Sequence, residues 1–300
     1  MTISSTCDFT NGARRRNEIA TRGDCWYRYQ AMIAASLAVE NADYFDDPFP
    51  HLQLFPALDG VTFDAMLACL PPLEAFELRG KGLKLELDVT EGATAFSALS
   101  EAHRDNVLAL RQGVRASAAR IAERFAAPLH DKYVWLLGEG IATDVLESGW
   151  TTTDGRVMGR APGYRLKPHT DSAHYGVTCL LYLSDALTPE EGALALYRPD
   201  RVPEVRDAST YYPHQEEGIE ISLVKTIPVR RNLFVAFVSG PTSIHGYERQ
   251  SMSSLAWRLA YQCHIIPRGL DMREIGARLS DTHRARWARY LTTPDDSSTM

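Results

Sequence analysis

The spacing of apolar residues changes once along this chain, near residue 150, and that change limits the fold more than any other feature. Before it the period is helical. Across residues 17–42, Ile19, Trp26, Tyr29, Ile33 and Leu37 recur at steps of three, four and seven. Residues 64–70 read as a short helix ended by Pro71-Pro72, because proline lacks the amide that the next turn needs. The longest helix is predicted over 94–127, with the stripe Phe96, Leu99, Val107, Leu110, Val114, Ala118, Ile121 and Phe125. Thr94 or Ser100 would cap it and Pro128 would close it. After Trp150, glycine and proline punctuate short runs rich in β-branched and aromatic residues: 177–183, 193–197, 219–227, 232–238 and 255–266. Short strands at this spacing predict an antiparallel sandwich, barrel or jelly roll. A last helix is expected over 271–291. The expected organisation is a helical portion, 1–149, packed on a β-core with a C-terminal helix, 150–300, as one structural unit.

Composition removes several classes of function. The chain has 300 residues, with 32 Lys and Arg against 38 Asp and Glu, a formal charge of −6. A nucleic-acid binder would carry a basic excess or a basic stripe, so none is expected. Arg14-Arg15-Arg16, followed by Glu18, reads as a solvated helix start. No run approaches 18 apolar residues, so no membrane helix is expected. The first residues have no basic start and no apolar run of secretory type, and the tail from Thr292 is polar. Five cysteines, Cys7, Cys25, Cys69, Cys179 and Cys263, are scattered without a CxxC pair. That pattern fits reduced thiols in a cytoplasmic protein, with Cys179 and Cys263 in the core.

The chemistry concentrates in Tyr164-Arg165-Leu166-Lys167-Pro168-His169-Thr170-Asp171-Ser172-Ala173-His174. Within it, His169-x-Asp171 would place an imidazole and a carboxylate on one face of a strand, where both can reach a common metal ion. Three later features reinforce it. Leu180-Leu181-Tyr182-Leu183-Ser184-Asp185 leads to a turn and strand at Gly192-Ala193-Leu194-Ala195-Leu196-Tyr197-Arg198-Pro199. A strand over 232–238 runs towards Ser243-Ile244-His245-Gly246-Tyr247, which places a histidine just past its end. Arg258 lies inside the apolar run Leu255-Ala256-Trp257-Arg258-Leu259-Ala260-Tyr261-Gln262 and needs a partner there. A dicarboxylate would supply one through a bidentate contact.

This order, His-x-Asp, a distal histidine and then an arginine on a late β-core, resembles the iron(II)/2-oxoglutarate-dependent dioxygenases. The text around Tyr164–Asp171, Gly192–Pro199 and Pro228–Gly246 is most similar to their prolyl-4-hydroxylase-type branch. The resemblance covers roughly residues 150–266. It implies a mainly β fold with helices: a double-stranded β-helix, or jelly roll, with an N-terminal helical layer and a C-terminal helix. It implies that His169, Asp171 and His245 are the catalytic metal ligands, a facial triad that leaves three iron positions open. Arg258 would grip the distal carboxylate of 2-oxoglutarate, with Gln262 on the same strand face as a second cosubstrate contact or as a core residue. Iron(II), 2-oxoglutarate and dioxygen are the implied cofactors. The implied reaction is decarboxylation of 2-oxoglutarate to succinate, coupled to oxidation of an unactivated C–H bond. Halogenases of the superfamily have Ala or Gly in place of the carboxylate; Asp171 favours hydroxylation, or desaturation, epimerisation or cyclisation. The turn Gly192-Ala193-Leu194 departs from relatives that have a second glycine or a threonine there, which concerns the turn and no ligand.

A small molecule, such as an amino acid, a sugar or a natural-product intermediate, is the expected substrate, with a protein side chain as the alternative. Arg160, Tyr164, Lys167, His174 and Arg198 are the candidate substrate contacts. His174 is also a rival ligand. Residues 200–218, with Tyr211-Tyr212-Pro213-His214, form either a lid over the site or a passive excursion. Two other classes stay open: a cupin-like metal enzyme that does not use 2-oxoglutarate, and a non-catalytic binding module. The sequence leaves the oligomeric state open.

Overall fold

The structure is a computed structural model that describes residues 37–79, 83–161, 163–172, 174–184, 192–203, 211–247, 257–269 and 271–286. Thirteen strands and eight α-helices are formed among them, in the order β1 (Asp43–Phe45), β2 (His51–Leu54), α1 (Gly60–Ala68), β3 (Glu77–Arg79), β4 (Lys84–Asp88), α2 (Thr94–Ser97), α3 (Glu101–Arg124), α4 (Ala126–Leu137), α5 (Glu139–Glu147), β5 (Trp150–Thr152), β6 (Arg156–Arg160), β7 (Leu166–His169), β8 (Val177–Tyr182), β9 (Leu194–Pro199), α6 (Pro213–Glu217), β10 (Ile221–Ile227), β11 (Phe234–Val238), β12 (Ile244–Tyr247), β13 (Arg258–Pro267), α7 (Met272–Arg278) and α8 (Asp281–Arg286). No helix among the described residues is long and apolar enough to cross a membrane.

Strands β6 to β13 build a jelly roll. Four lie side by side as β6-β13-β8-β11 and four as β10-β9-β12-β7, all antiparallel. Apart from the β9–β10 hairpin, successive strands belong to opposite sheets, so the chain winds as a double-stranded β-helix. The larger sheet continues on both sides: β2 and β1 extend it from β11, and β4 and β3 extend it from β6. Strands from both sides of residue 150 therefore share one sheet.

Side-chain alternation divides the larger sheet into two apolar faces. Cys179, Leu181, Phe234, Ala236, Tyr261, Cys263 and Ile265 face outwards and pack against the helices, with Val107, Leu110, Val114, Ile121, Leu129, Tyr133 and Leu136. Met158, Leu180, Tyr182, Val235, Phe237 and Ala260 face inwards, towards Leu194, Leu196 and Tyr247 of the smaller sheet. Strands β8 and β11 are buried along their whole length because both faces are covered.

Several expectations are corrected. The helix expected over 94–127 is broken: α2 ends at Ser97, and Ser100 caps α3 by accepting from the His103 amide at 3.3 Å. Pro128 does not end helical structure. It sits in the first turn of α4, where a missing amide costs nothing. The helix expected over 64–70 begins earlier, at Gly60, where Asp59 accepts from the Thr62 amide at 3.0 Å. The N-terminal portion is not purely helical, since it contributes β1 to β4. His245 lies inside β12 rather than past a strand. The last helix is two short ones, α7 and α8, and its expected end lies outside the described residues. Residues 17–36, Arg14–Arg16, Cys7, Cys25 and the tail from Thr292 also lie outside them.

Candidate metal centre and adjoining pocket

Strands β7 and β12 pair with His169 and His245 as direct partners, which sets the two rings side by side with centroids 4.4 Å apart. Gly246 permits this approach, because a Cβ there would stand 2.7 Å from the Leu166 carbonyl oxygen. Asp171 follows two residues beyond His169. Its Oδ1 is 3.6 Å from His169 Nε2 and its Oδ2 3.7 Å from His245 Nε2. One ligand atom from each of the three residues falls within 4.8 Å of the others. Donors bound about 2 Å from one ion are separated by roughly 3–4 Å, so the three are spaced for a shared metal. Both imidazoles are 4% exposed, which leaves the centre shielded but reachable.

The backbone fixes the tautomers. His169 Nδ1 donates to the Lys167 carbonyl at 2.9 Å, and His245 Nδ1 donates to the Ser243 carbonyl at 3.0 Å. A carbonyl only accepts, so each Nδ1 carries a proton, and Nε2 is the nitrogen that each ring turns towards Asp171. Burial would raise the Asp171 pKa, but the imidazoles of His245 and His169 outweigh it and hold the carboxyl well below its ordinary range. Burial pushes His245 down to about 4, against the pull of Asp171, so this ring stays neutral. Two imidazoles and one carboxylate are a donor set that suits non-haem iron.

Asp171 is braced from outside the centre. Thr178 on β8 donates to its Oδ2 at 2.5 Å. The same hydroxyl meets Ser239 Oγ at 2.8 Å and His264 Nδ1 at 3.2 Å. His264 stacks on Tyr175 with ring centroids 3.6 Å apart. Two neighbours on α4 hold the turn that carries Tyr175: Lys132 donates to the Tyr175 carbonyl, and Tyr133 donates to the His174 carbonyl at 3.1 Å. Burial lowers the Lys132 pKa to about 7, with Asp171 pulling it back up. None of these supporting residues was singled out by spacing. Each joins segments far apart in the chain, and a threonine or serine inside a β-run carries no signal of its own.

A second polar position lies along the same inner face. Arg258 is 4% exposed, donates to the Gly192 carbonyl, and lies over the Tyr247 ring with its guanidinium carbon 3.9 Å from the centroid. Among the described residues no carboxylate pairs with it. Gly192, at φ +65, leaves it room: a Cβ would come within 2.8 Å of Arg258 Nη1. Tyr182 lies opposite Ala260, two residues from Arg258, and is fully buried.

The remaining candidates fall in different places. Gln262 Oε1 accepts from Arg156, at 3.1 Å from Nε and 2.9 Å from Nη2. Arg160 is buried and paired with Glu86 at 3.3 Å. Tyr164 is buried, with Arg160 over its ring at 5.1 Å. His174 Nδ1 meets Ser172 Oγ at 2.8 Å, and burial lowers its pKa to about 3. Lys167 is exposed, and Arg198 is exposed and paired with Asp47. The 200–218 segment approaches the centre: Tyr211 pairs with Thr170, and the Tyr212 ring lies 5.8 Å from that of His169. Its middle, 204–210, lies outside the described residues.

Fold and site together define a jelly-roll protein with two histidines and one carboxylate spaced to hold a metal ion. No protein-family model and no curated protein matches the chain. Solved structures of similar fold include a prolyl-4-hydroxylase from Pseudomonas putida, 15% identical with a TM-score of 0.37 over 81% of this chain and 94% of that one. Another is a prolyl hydroxylase from Trichoplax adhaerens in complex with a hypoxia inducible factor peptide fragment, 13% identical, TM-score 0.41, over 88% and 99%. A third is HygX from Streptomyces hygroscopicus with nickel, 2-oxoglutarate and hygromycin B bound, 13% identical, TM-score 0.39, over 73% and 83%. The reading that follows rests on the residues of the site itself.

Proposed function

We propose that this chain is an iron(II)- and 2-oxoglutarate-dependent oxygenase that oxidises an unactivated C–H bond of a small molecule, with hydroxylation as the outcome. The observation that carries the reading is the pairing of the His169–Asp171–His245 donor set with Arg258, a buried arginine on the same inner face that no carboxylate meets among the described residues. The residues suit both groups. Two neutral nitrogens and one carboxylate oxygen bind iron(II) through three positions and leave others open. Arg258 and the buried Tyr182 hydroxyl present donors that a buried carboxylate satisfies. Bound together, iron(II), 2-oxoglutarate and dioxygen supply the oxidising power, at the expense of one carboxyl group of the cosubstrate.

The protein's own contribution is orientation. The Lys167 and Ser243 carbonyls aim both imidazoles. Thr178 holds Asp171 ionised and in place. Arg258, steered by Gly192, fixes the far end of the cosubstrate. The apolar inner face, with Leu180, Leu194, Leu196 and Phe237, excludes water from the reaction. Arg258 also favours this reading over a cupin-like enzyme without 2-oxoglutarate, in which a buried guanidinium would need a partner of its own. A reducing cytoplasm suits Cys179 and Cys263, which are free, buried thiols on directly opposed positions of β8 and β13.

The test is succinate release from labelled 2-oxoglutarate by the iron-loaded protein. Uncoupled turnover in the wild type, absent in Asp171→Ala and requiring far more 2-oxoglutarate in Arg258→Gln, is the expected result. Equal succinate release by wild type and Asp171→Ala rejects the assignment.

A further inference from the structure

The inner face of the jelly roll does not stop at β6. Partners on neighbouring antiparallel strands share a face, so register carries the surface outwards row by row. Thr178 and His264 form the row beside Asp171. The next row is Leu180, Gln262, Arg156 and Asp88, and the third is Tyr182, Ala260, Met158, Glu86 and Glu77. The fourth is Arg258, Arg160, Lys84 and Arg79. A continuous wall thus runs from the metal centre to β4 and β3, beyond the strands that the smaller sheet pairs.

The charges on this wall do not balance. Arg79 is held by Glu77 at 2.7 Å and Asp88 at 3.3 Å. The buried Glu86 is met by Arg160 at 3.3 Å and by Arg156 and Arg79 at 3.7 Å each, with Lys84 adjoining Arg160. Three carboxylates, Glu77, Glu86 and Asp88, thus serve four cations, Arg79, Arg156, Arg160 and Lys84. Burial, and after it the Arg160 cation, push the Lys84 pKa down. Arg160 Nε is buried without a partner among the described residues.

Arg156 is the accessible member of the group. Its side chain is 38% exposed, against 6% for Arg160. Gln262 Oε1 receives both Nε and Nη2, which fixes the side chain without neutralising it, and among the described residues Nη1 has only the 3.7 Å approach of Glu86. Strand spacing and rise put the Arg156 Cα about 12 Å from that of Thr178, the length of a small molecule.

We propose that Arg156, braced by Gln262, binds a carboxylate of the small molecule that the metal centre oxidises, so that the substrate class is a carboxylic acid. The inference rests on the oxygenase reading above. It gives Gln262 a different task from the cosubstrate contact expected from sequence: it aims a substrate arginine.

The experiment uses the protein loaded anaerobically with iron(II) and 2-oxoglutarate. The visible metal-to-cosubstrate charge-transfer band is recorded first; its absence in the wild type removes the oxygenase reading, before any probe is added. N-acetylglycine, N-acetylleucine and 3-phenylpropionate are then titrated by calorimetry beside their neutral amides. The expected result is binding of the acids in preference to the amides, weakened at least tenfold in Arg156→Gln and partly restored in Arg156→Lys. The 2-oxoglutarate affinity stays unchanged in both variants. Gln262→Leu weakens the acids less than Arg156→Gln, because the charge remains while its aim is lost. Acids and amides binding alike, acid binding unaffected by Arg156→Gln, or no acid binding at all would each overturn the proposal while leaving the oxygenase reading intact.

Discussion

Thr178 ties the metal-facing carboxylate to the inside of the sheet through a single hydroxyl shared with Ser239 and His264. Residues that brace a ligand without touching the ion typically change metal affinity 10–100-fold. Thr178→Val keeps the shape of the side chain and removes the bond, so iron(II) affinity is expected to fall by about that factor while the fold persists; unchanged affinity in an anaerobic titration contradicts it. The histidines make a second prediction. Burial holds His264 near 4 and His174 near 3, whereas an unfolded histidine titrates near 6.5. The unfolded chain therefore takes up protons that the native one refuses, and stability falls as pH drops below about 6.5. By pH 5 each ring accounts for about 2 kcal/mol of lost stability. Denaturant unfolding of the metal-free protein at pH 7 and pH 5 should show this loss, and a smaller one in His264→Gln; equal stability at both pH values refutes it. At this scale the grouping of His169, Asp171 and His245 and the burial of Arg258 were legible, because their spacing and residue types stand out. Their supports were not, since Thr178, Ser239 and Tyr175 gain meaning only through contacts between distant segments.

Turns and helices set the geometry that these residues use. Gly192 occupies a left-handed conformation beside the Arg258 guanidinium. Gly192→Ala adds backbone strain of about 1–2 kcal/mol and drives a methyl group into the arginine. Its expected signature is weaker 2-oxoglutarate binding, by about tenfold or more if one charge-assisted bond is lost, with iron binding unaltered. Comparable losses for both ligands point to general unfolding instead. On α4, Tyr133→Phe removes the bond to the His174 carbonyl and should cost about 1 kcal/mol in a chemical melt. The strong β-runs 177–183 and 232–238 were readable because both faces of β8 and β11 are buried, leaving nearly unbroken apolar text. Strands β1 to β4 were not, since three to five residues among helical spacings give no periodicity to detect. Pro128 misled for a definite reason: proline ends a helix from within but is tolerated in a first turn, and sequence alone does not say which applies.

The whole molecule combines a wound eight-strand core with a helical layer on one outer face. Winding brings β7 and β12 together, and so joins His169 and Asp171 to His245; antiparallel pairing of β8 with β13 lines Thr178, Tyr182 and Arg258 along one inner surface. The jelly roll was legible through the order of its signature residues. The extension of the sheet through β2 and β4 was not, because it depends on pairings with β11 and β6 that no local pattern encodes. Strands β4 and β3 of that extension prolong the charged wall that begins with Arg156 and Arg160 on β6. The central claim is that one metal and one dicarboxylate share this core. Anaerobic addition of iron(II) and then 2-oxoglutarate to the metal-free protein tests it most directly. A visible charge-transfer band should appear in the wild type, vanish in His245→Ala, and require far more 2-oxoglutarate in Arg258→Ala. Iron binding without a band in the wild type, or an identical band in all three proteins, would contradict it.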